Sequence, residues 1–403
     1  MNFRTLFPIA LASVALACGA PKKIDPPLDG GGGGGGGGEQ QDSGSSADGG
    51  ALPDAGAPDA GTFDAGFIDA GPPCDRSDPC TIGWVDAEHY PVVTDHHTTF
   101  INEGDGGTYL YVAGGARAVA GDAKEVYPAL RRALIKADGM LDAWTDVGVL
   151  PVPLGFAAQA VSGSNMVYLM GGASQDAMGP FASGKVMVGA ISRVDGTISW
   201  KAGPPLTEAT MHGTGIVLEN RLYLIGGSAA APKSKVLVSQ LDANGLPGPW
   251  AVGPALPMAR SHHTAVVHNG HIFLIGGFTT GQVPITPIHK SVHDATGAIT
   301  GWEVGGDMPN SPWTAGASVW GGSLFVVGGG EGGSGVEQYV DHVRQARFLE
   351  GNTVSGFADV TPLPVARSHV HQAPIYQGRI YSVGGRLFPS GNSMDRVFVG
   401  TFQ

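Results

Sequence analysis

Six short apolar segments of this chain end in the same dipeptide: YLYVAGG at 109–115, MVYLMGG at 166–172, RLYLIGG at 221–227, HIFLIGG at 271–277, SLFVVGG at 323–329 and RIYSVGG at 379–385. A segment rich in β-branched and aromatic residues, closed by glycine, reads as a strand. The pairs recur at nearly even spacing from Gly115 to Gly385. Self-similarity at a period of about 50 residues is the signature of an array of repeated units. Aromatic residues are phased to it. Trp144, Trp200, Trp250 and Trp302 precede Gly171, Gly226, Gly276 and Gly328 by an almost constant interval, as Phe357 precedes Gly384. Trp84 stands slightly further ahead of Gly114. The interval from each Gly-Gly to the next aromatic varies more, so insertions fall just after the glycines.

Each unit divides into four strands. In one repeat AVVHN (265–269) is the innermost strand a, and the Gly-Gly segment is strand b. KVLVSQL (235–241) shows strand c, and strand d begins near the tryptophan. Turn residues separate c from d: Asp138-Gly139, Asp195-Gly196, Asn244-Gly245 and Asp294 to Gly297. Composition agrees. Glycine accounts for 66 of 403 residues and charged residues for 14%. That is too much glycine for a helical bundle, and without a Gly-X-Y period it is not collagen.

The repeat resembles the kelch β-propeller family over residues 81–403, most clearly in LPMARSHHTAVVHNGHIFLIGG at 256–277. The resemblance implies an all-β, six-bladed propeller whose glycines sit where a side chain would collide with the packed blade. The sequence ends at Gln403, too soon after Gly385 for a sixth strand d, while TIGWVDAEH (81–89) stands unused before the first unit. Residues 81–91 are therefore expected to complete the last blade of a propeller domain spanning 74–403.

The N-terminal part has another character. Residues 1–17 carry Arg4 and an apolar stretch from Leu6 to Ala17, a secretory signal pattern too short to span a membrane. Ala15-Leu16-Ala17-Cys18 resembles a bacterial lipobox, which implies lipidation of Cys18; an ordinary signal peptide with an incidental cysteine is the competing reading. Gly19, in place of the aspartate that retains lipoproteins at the inner membrane, implies an outer-membrane lipoprotein on the periplasmic or cell-surface side. Residues 18–73 hold an unbroken glycine run (30–38) and a regularly repeated Asp-Ala-Gly motif from Asp54 to Gly71. Small and acidic residues offer little area to offset ordering entropy, so this stretch is expected to be a disordered linker. Cys74 and Cys80 are expected to form a disulfide, as an isolated pair in an exported protein does.

Net charge is −12, with −7 in residues 19–73, and no basic field points to nucleic acid. The connections between strands b and c vary most in length, and together with the d–a connections they share one face, the usual place for binding on a rigid scaffold. The d–a connections bring His97, His212, Arg260, His262, His263, Trp313, Arg367 and His369 toward one mouth of the channel. They form a candidate ligand site with an aromatic platform at Trp313. The same Arg and His positions are also suited to bonding neighbouring backbone. No nucleophile elbow, phosphate loop or HExxH occurs, and no metal-ligand spacing is present. The copper site of galactose-oxidase-like kelch enzymes needs a Tyr–Cys crosslink, and no cysteine follows Cys80, so no cofactor is expected. Two functions follow: a binding or scaffold head for protein or glycan, tethered to a membrane, or an exported carbohydrate-active enzyme resembling kelch-type sialic-acid mutarotases.

Overall fold

In the computed structural model the described residues are 79–403, apart from 119–123, 177–178 and 334–337. The expected signal peptide, Cys18, the expected linker and Cys74, one half of the expected disulfide, lie outside the described residues. Strands dominate, and among the described residues one 3-10 turn, Thr280–Gln282, is the single helical element.

Six antiparallel sheets repeat one order, a-b-c-d. In blade 4 the strands are Thr264–His268, His271–Ile275, Pro287–His293 and Ile299–Asp307. Blade 3 follows the same plan with Thr214–Leu218, Arg221–Ile225, Val236–Leu241 and Pro247–Val252. Blade 6 is assembled from both ends of the chain. Its strands Ile375–Tyr376, Arg379–Val383 and Val397–Phe402 are followed by Ile82–Asp86, which pairs Ile82 with Phe402 and Asp86 with Phe398. The ring is thereby closed by pairing rather than by a covalent turn.

Burial explains the sequence pattern of each strand. Strand b lies inside the sheet with both faces against neighbouring blades, so it is mostly apolar, and in Met166–Met170 and Ser323–Val327 every residue is buried. Strand d is the outer edge, and Thr145–Val149 is mostly exposed. The core is divided into six layers, one per blade interface. Between blades 3 and 4, Tyr223, Ile225 and Val236 meet Val267, Ile272 and Leu274; between blades 6 and 1, Tyr381, Val383 and Val397 meet Leu110, Val112 and Ala133.

The phased residues stitch these interfaces. Gly276 has a φ of 65°, and a Cβ there would collide with the carbonyl oxygen of Pro312 in the next blade. Only glycine allows that approach. It lets the Gly277 amide donate to the same oxygen at 2.9 Å. Equivalent bonds run from the second glycine of each pair into the next blade, the last from Gly385 to Thr94 at 2.8 Å. The tryptophans bond in the reverse direction. Trp250 Nε1 donates to Pro204 O (2.9 Å), Trp302 to Pro254 O (3.1 Å), Trp144 to Glu88 O (3.1 Å) and Trp84 to Thr361 O (3.2 Å). The glycine bond repeats at every blade interface and the indole bond at four; among the described residues Trp200 Nε1 has no partner, and Phe357 has no side-chain N–H to give.

The b–c connections are built rather than slack. Four fold into small two-stranded hairpins, including Phe278–Thr279 with Val283–Pro284 and Gly330–Glu331 with Gln338–Tyr339. Cys80 is buried, and its amide donates to Gln345 Oε1 at 2.8 Å.

Candidate functional site

The d–a connections converge on one mouth of the channel, where five backbone hydrogen bonds and one to a threonine hydroxyl form a closed ring. Phe156 N donates to His96 O, His212 N to Phe156 O, and His262 N to His212 O, each at 3.0 Å. Thr314 N donates to His262 O at 2.8 Å, His369 N to Thr314 Oγ1 at 2.9 Å, and His96 N to His369 O at 3.1 Å. All six residues have left-handed φ values, from 49° to 62°. Histidine is among the few residues enriched in that conformation, which gives a backbone reason for its recurrence here.

The side chains of this ring fill the mouth. His212 stacks on His262 at 3.7 Å, and His96 lies 3.9 Å from Phe156 and 4.5 Å from His369, ring centre to centre. His96, Phe156, His212 and His369 are all buried. His97 and His263 turn the other way. Their rings pack against Gly384 and Gly226 of the preceding blade, where a glycine Cβ would lie 3.2 and 3.0 Å from the imidazole Cε1. Burial pushes His97 down to about 3 and His371 to about 4, and holds His263 and His369 well below the ordinary imidazole value. These imidazoles are neutral at pH 7.

Arg260 and Arg367 do not reach the mouth. Both guanidiniums are buried where strands b and c of their own blade part at Gly-Gly, leaving carbonyls without ladder partners. Arg260 Nη1 donates to Leu274 O at 3.0 Å, and Nη2 to Pro287 O at 2.9 Å and His289 Nδ1 at 2.8 Å. Arg367 Nη1 donates to Gly384 O at 2.9 Å, and its guanidinium lies 4.5 Å over Phe398. Desolvation pushes both to about 9, so they stay charged at neutral pH. Their role in this geometry is to hold the blade.

A pocket of about 190 Å³ opens on the loop face between blades 4, 5 and 6. It brings His262, Trp313 and His369 together with Phe278, Tyr339 and Arg386. Successive ring centres of Phe278, Trp313, Tyr339 and Phe388 lie 6.3, 6.0 and 5.8 Å apart, each pair edge to face. The Trp313 indole is 6% exposed and forms a wall of the pocket, while Phe388 at the rim is 53% exposed.

Arg386 and Asp95 were not singled out by sequence. Arg386 Nε donates to Asp95 Oδ2 at 2.8 Å and Nη2 to Oδ1 at 3.0 Å. Ser393 Oγ donates to Oδ2 at 2.5 Å, and His96 Nδ1 is hydrogen-bonded to Oδ1. Asp95 is fully buried, a carboxylate for which these four bonds replace water. The two residues are 291 positions apart, and no repeat position marks them. Among the described residues no group of three or more His, Cys, Asp or Glu is placed to hold a metal ion.

The comparisons agree with this architecture. A family model described as "Kelch motif" matches residues 259–292, which span Arg260 and strands a to c of blade 4. The described head is a six-bladed kelch-type β-propeller. Solved structures of similar fold include one titled "Structure of YjhT", with a TM-score of 0.61 and 13% sequence identity over 79% of this chain and 99% of that one. At that identity the likeness is one of fold. No curated protein matches.

Proposed function

We propose that this protein is a non-catalytic binding head that takes a glycan in the loop-face pocket, carried at an outer membrane by lipid on Cys18 and the linker of residues 18–73. The carrying observation is the aromatic pocket of about 190 Å³ between blades 4 and 6. A sugar ring has an apolar C–H face and a rim of hydroxyls. Phe278, Tyr339 and Phe388 supply ring surfaces for the first, and Gln282, His262, His369 and Arg386 supply polar groups for the second. A carbohydrate-active enzyme needs a titratable group free to move a proton. Asp95, the one fully buried carboxylate among the described residues, is bound by four partners, which favours binding over turnover.

The test is a glycan array probed with residues 74–403, paired with an anomer-exchange assay. Retention of a glycan, weakened about tenfold by Tyr339→Ala through the loss of one aromatic contact, supports the proposal. Capture of proteins but no glycan would replace the ligand class, and anomer exchange that is lost in His262→Ala would establish the enzyme instead. The anchor has its own test: Cys18→Ser shifts the protein from the detergent phase to the aqueous phase, and unchanged partition contradicts lipidation.

A further inference from the structure

The loop-face pocket has a charge pattern as well as a shape. Among its lining residues Arg386 is the only Asp, Glu, Lys or Arg. Its guanidinium is matched at contact, with Nε and Nη2 donating to the two oxygens of Asp95 at 2.8 and 3.0 Å. Asp95 is fully buried and does not line the pocket, so a ligand there meets the arginine and not the carboxylate. The remaining nitrogen, Nη1, has no partner among the described residues and is not sealed from solvent. His369 is similar. Its Nδ1 is hydrogen-bonded to Ser368 Oγ at 2.5 Å, which leaves Nε2, and burial keeps the ring neutral.

An ion pair in contact attracts an outside charge only weakly. An anionic group at Nη1 would gain the attraction of Arg386, meet the repulsion of Asp95 across the same guanidinium, and lose its hydration. A hydroxyl in that place has little hydration to lose and accepts a charge-assisted hydrogen bond. The wall adds no cation to tip this balance: beside Gly332 of the lining, Glu331 and Asp359 share Arg344, two acids on one base. Volume sets a second limit. A cavity of about 150 Å³ suffices for benzene, so an open pocket of about 190 Å³ takes one sugar ring and leaves the next in solvent.

We propose that the pocket selects a single uncharged sugar ring at the end of a glycan and rejects acidic sugars, with the Asp95–Arg386 pair as the filter. This rests on the reading of the pocket as a glycan site. Hydroxyls of the ring lie against Arg386 and His369, and its C–H face lies on Tyr339. Asp95 touches no ligand in this arrangement. It acts through Arg386, holding two of its donors and matching its charge.

The test is calorimetric titration of the full-length chain at about pH 7.5, where carboxylates are ionised. The probes are the methyl glycosides of glucose and galactose, each paired with that of its uronic acid, which differs only in a carboxylate for a hydroxymethyl group. An uncharged probe is expected to bind saturably, and its acid partner about tenfold more weakly or less. Asp95→Asn leaves the charge of Arg386 unmatched and should narrow that ratio about tenfold. Asp95→Asn combined with Arg386→Gln removes both charges and should restore it. Melting transitions show that the variants fold, and the ratio in the parent chain decides without them. An acid probe that binds as well as its partner, or a ratio unmoved by Asp95→Asn in the folded protein, would overturn the proposal. If a glycan array retains oligosaccharides while none of the four probes binds, selection of a single ring is overturned and the glycan site stands. If no carbohydrate is retained at all, the reading of the pocket falls and the filter with it.

Discussion

Blades 4 and 6 have the same strand order but are held together differently. In blade 4 the chain runs through all four strands, and the turn from c to d is closed locally, with Asp294 Oδ1 accepting from Thr296 N and Ala298 N at 2.8 and 3.1 Å. In blade 6 there is no such turn, because strand c ends at Phe402 and strand d begins at Ile82. In its place a buried ion pair links the segment after strand d to the segment before strand c: Asp95 with Arg386 and Ser393. Blade 4 uses Arg260 for carbonyls of its own strands, a local task; blade 6 has both Arg367 for that task and Arg386 for closure. A charge pair is an expensive way to gain stability, but it is directional, and it fixes how the two ends of the chain meet. Arg386 also lines the loop-face pocket, so closure and binding share a residue.

Breaking this comparison should give graded effects. The largest is expected from deleting residues 81–91. Removing strand d strips the cover from Ile380, Phe402 and Phe325, and scanning calorimetry should show no cooperative transition; a full-height transition at the parent temperature would refute closure by pairing.

Acid comes next. Burial lowers the folded pKa of His97, His263, His289, His369 and His371 beneath the ordinary 6.5, while the unfolded chain titrates at that value. The unfolded state therefore takes up protons first. Stability is complete above about pH 6.5 and is lost as pH falls from there toward 4, at up to about 1.4 kcal/mol per pH unit for each group. Three of the five belong to blades 1 and 6, so amides of those blades should lose exchange protection at pH 5.5 before those of blade 3. Uniform protection from pH 7.5 to 5 would contradict the burial of neutral imidazoles.

Arg386→Ala is expected to destabilise by about 4 kcal/mol, since it leaves Asp95 buried and unpaired, and adding Asp95→Asn should recover much of that loss. If the double variant is no better than the single one, the carboxylate is not the source of the cost. Trp250→Phe should have the smallest effect, about 1 kcal/mol for the bond to Pro204 O, measured by urea titration. A loss several times larger would mean that the indole does more than stitch two blades.

How far these features can be read from sequence depends on whether they repeat. Gly276 is legible because the same contact is made at every blade interface, and Trp250 because an indole bond recurs at four of them, so period and residue type coincide. The positions of Arg260 and Arg367 are legible for the same reason, but their task is not, because a guanidinium at the end of strand b serves a ligand or a carbonyl equally well until its depth is known. The ring through His96, Phe156, His212, His262, Thr314 and His369 works by main-chain bonds. Five of its six links do not use a side chain, so Phe156 carries no signal, and Thr314, whose hydroxyl accepts from His369 N, occurs once. Tyr339 and Phe388 lie in b–c segments whose lengths vary, and Asp95 with Arg386 occurs once. A single-copy contact between opposite ends of the chain leaves no trace in a period.

Hydrogen exchange of residues 82–86 tests the closed ring most directly. Pairing with Val397–Phe402 predicts that backbone amides of Ile82–Asp86 are protected and open together with those of the last strand, at the free energy of the whole blade. Amides in 82–86 that exchange at the rate of an unstructured chain, while Val397–Phe402 stays protected by Arg379–Val383 alone, would contradict it.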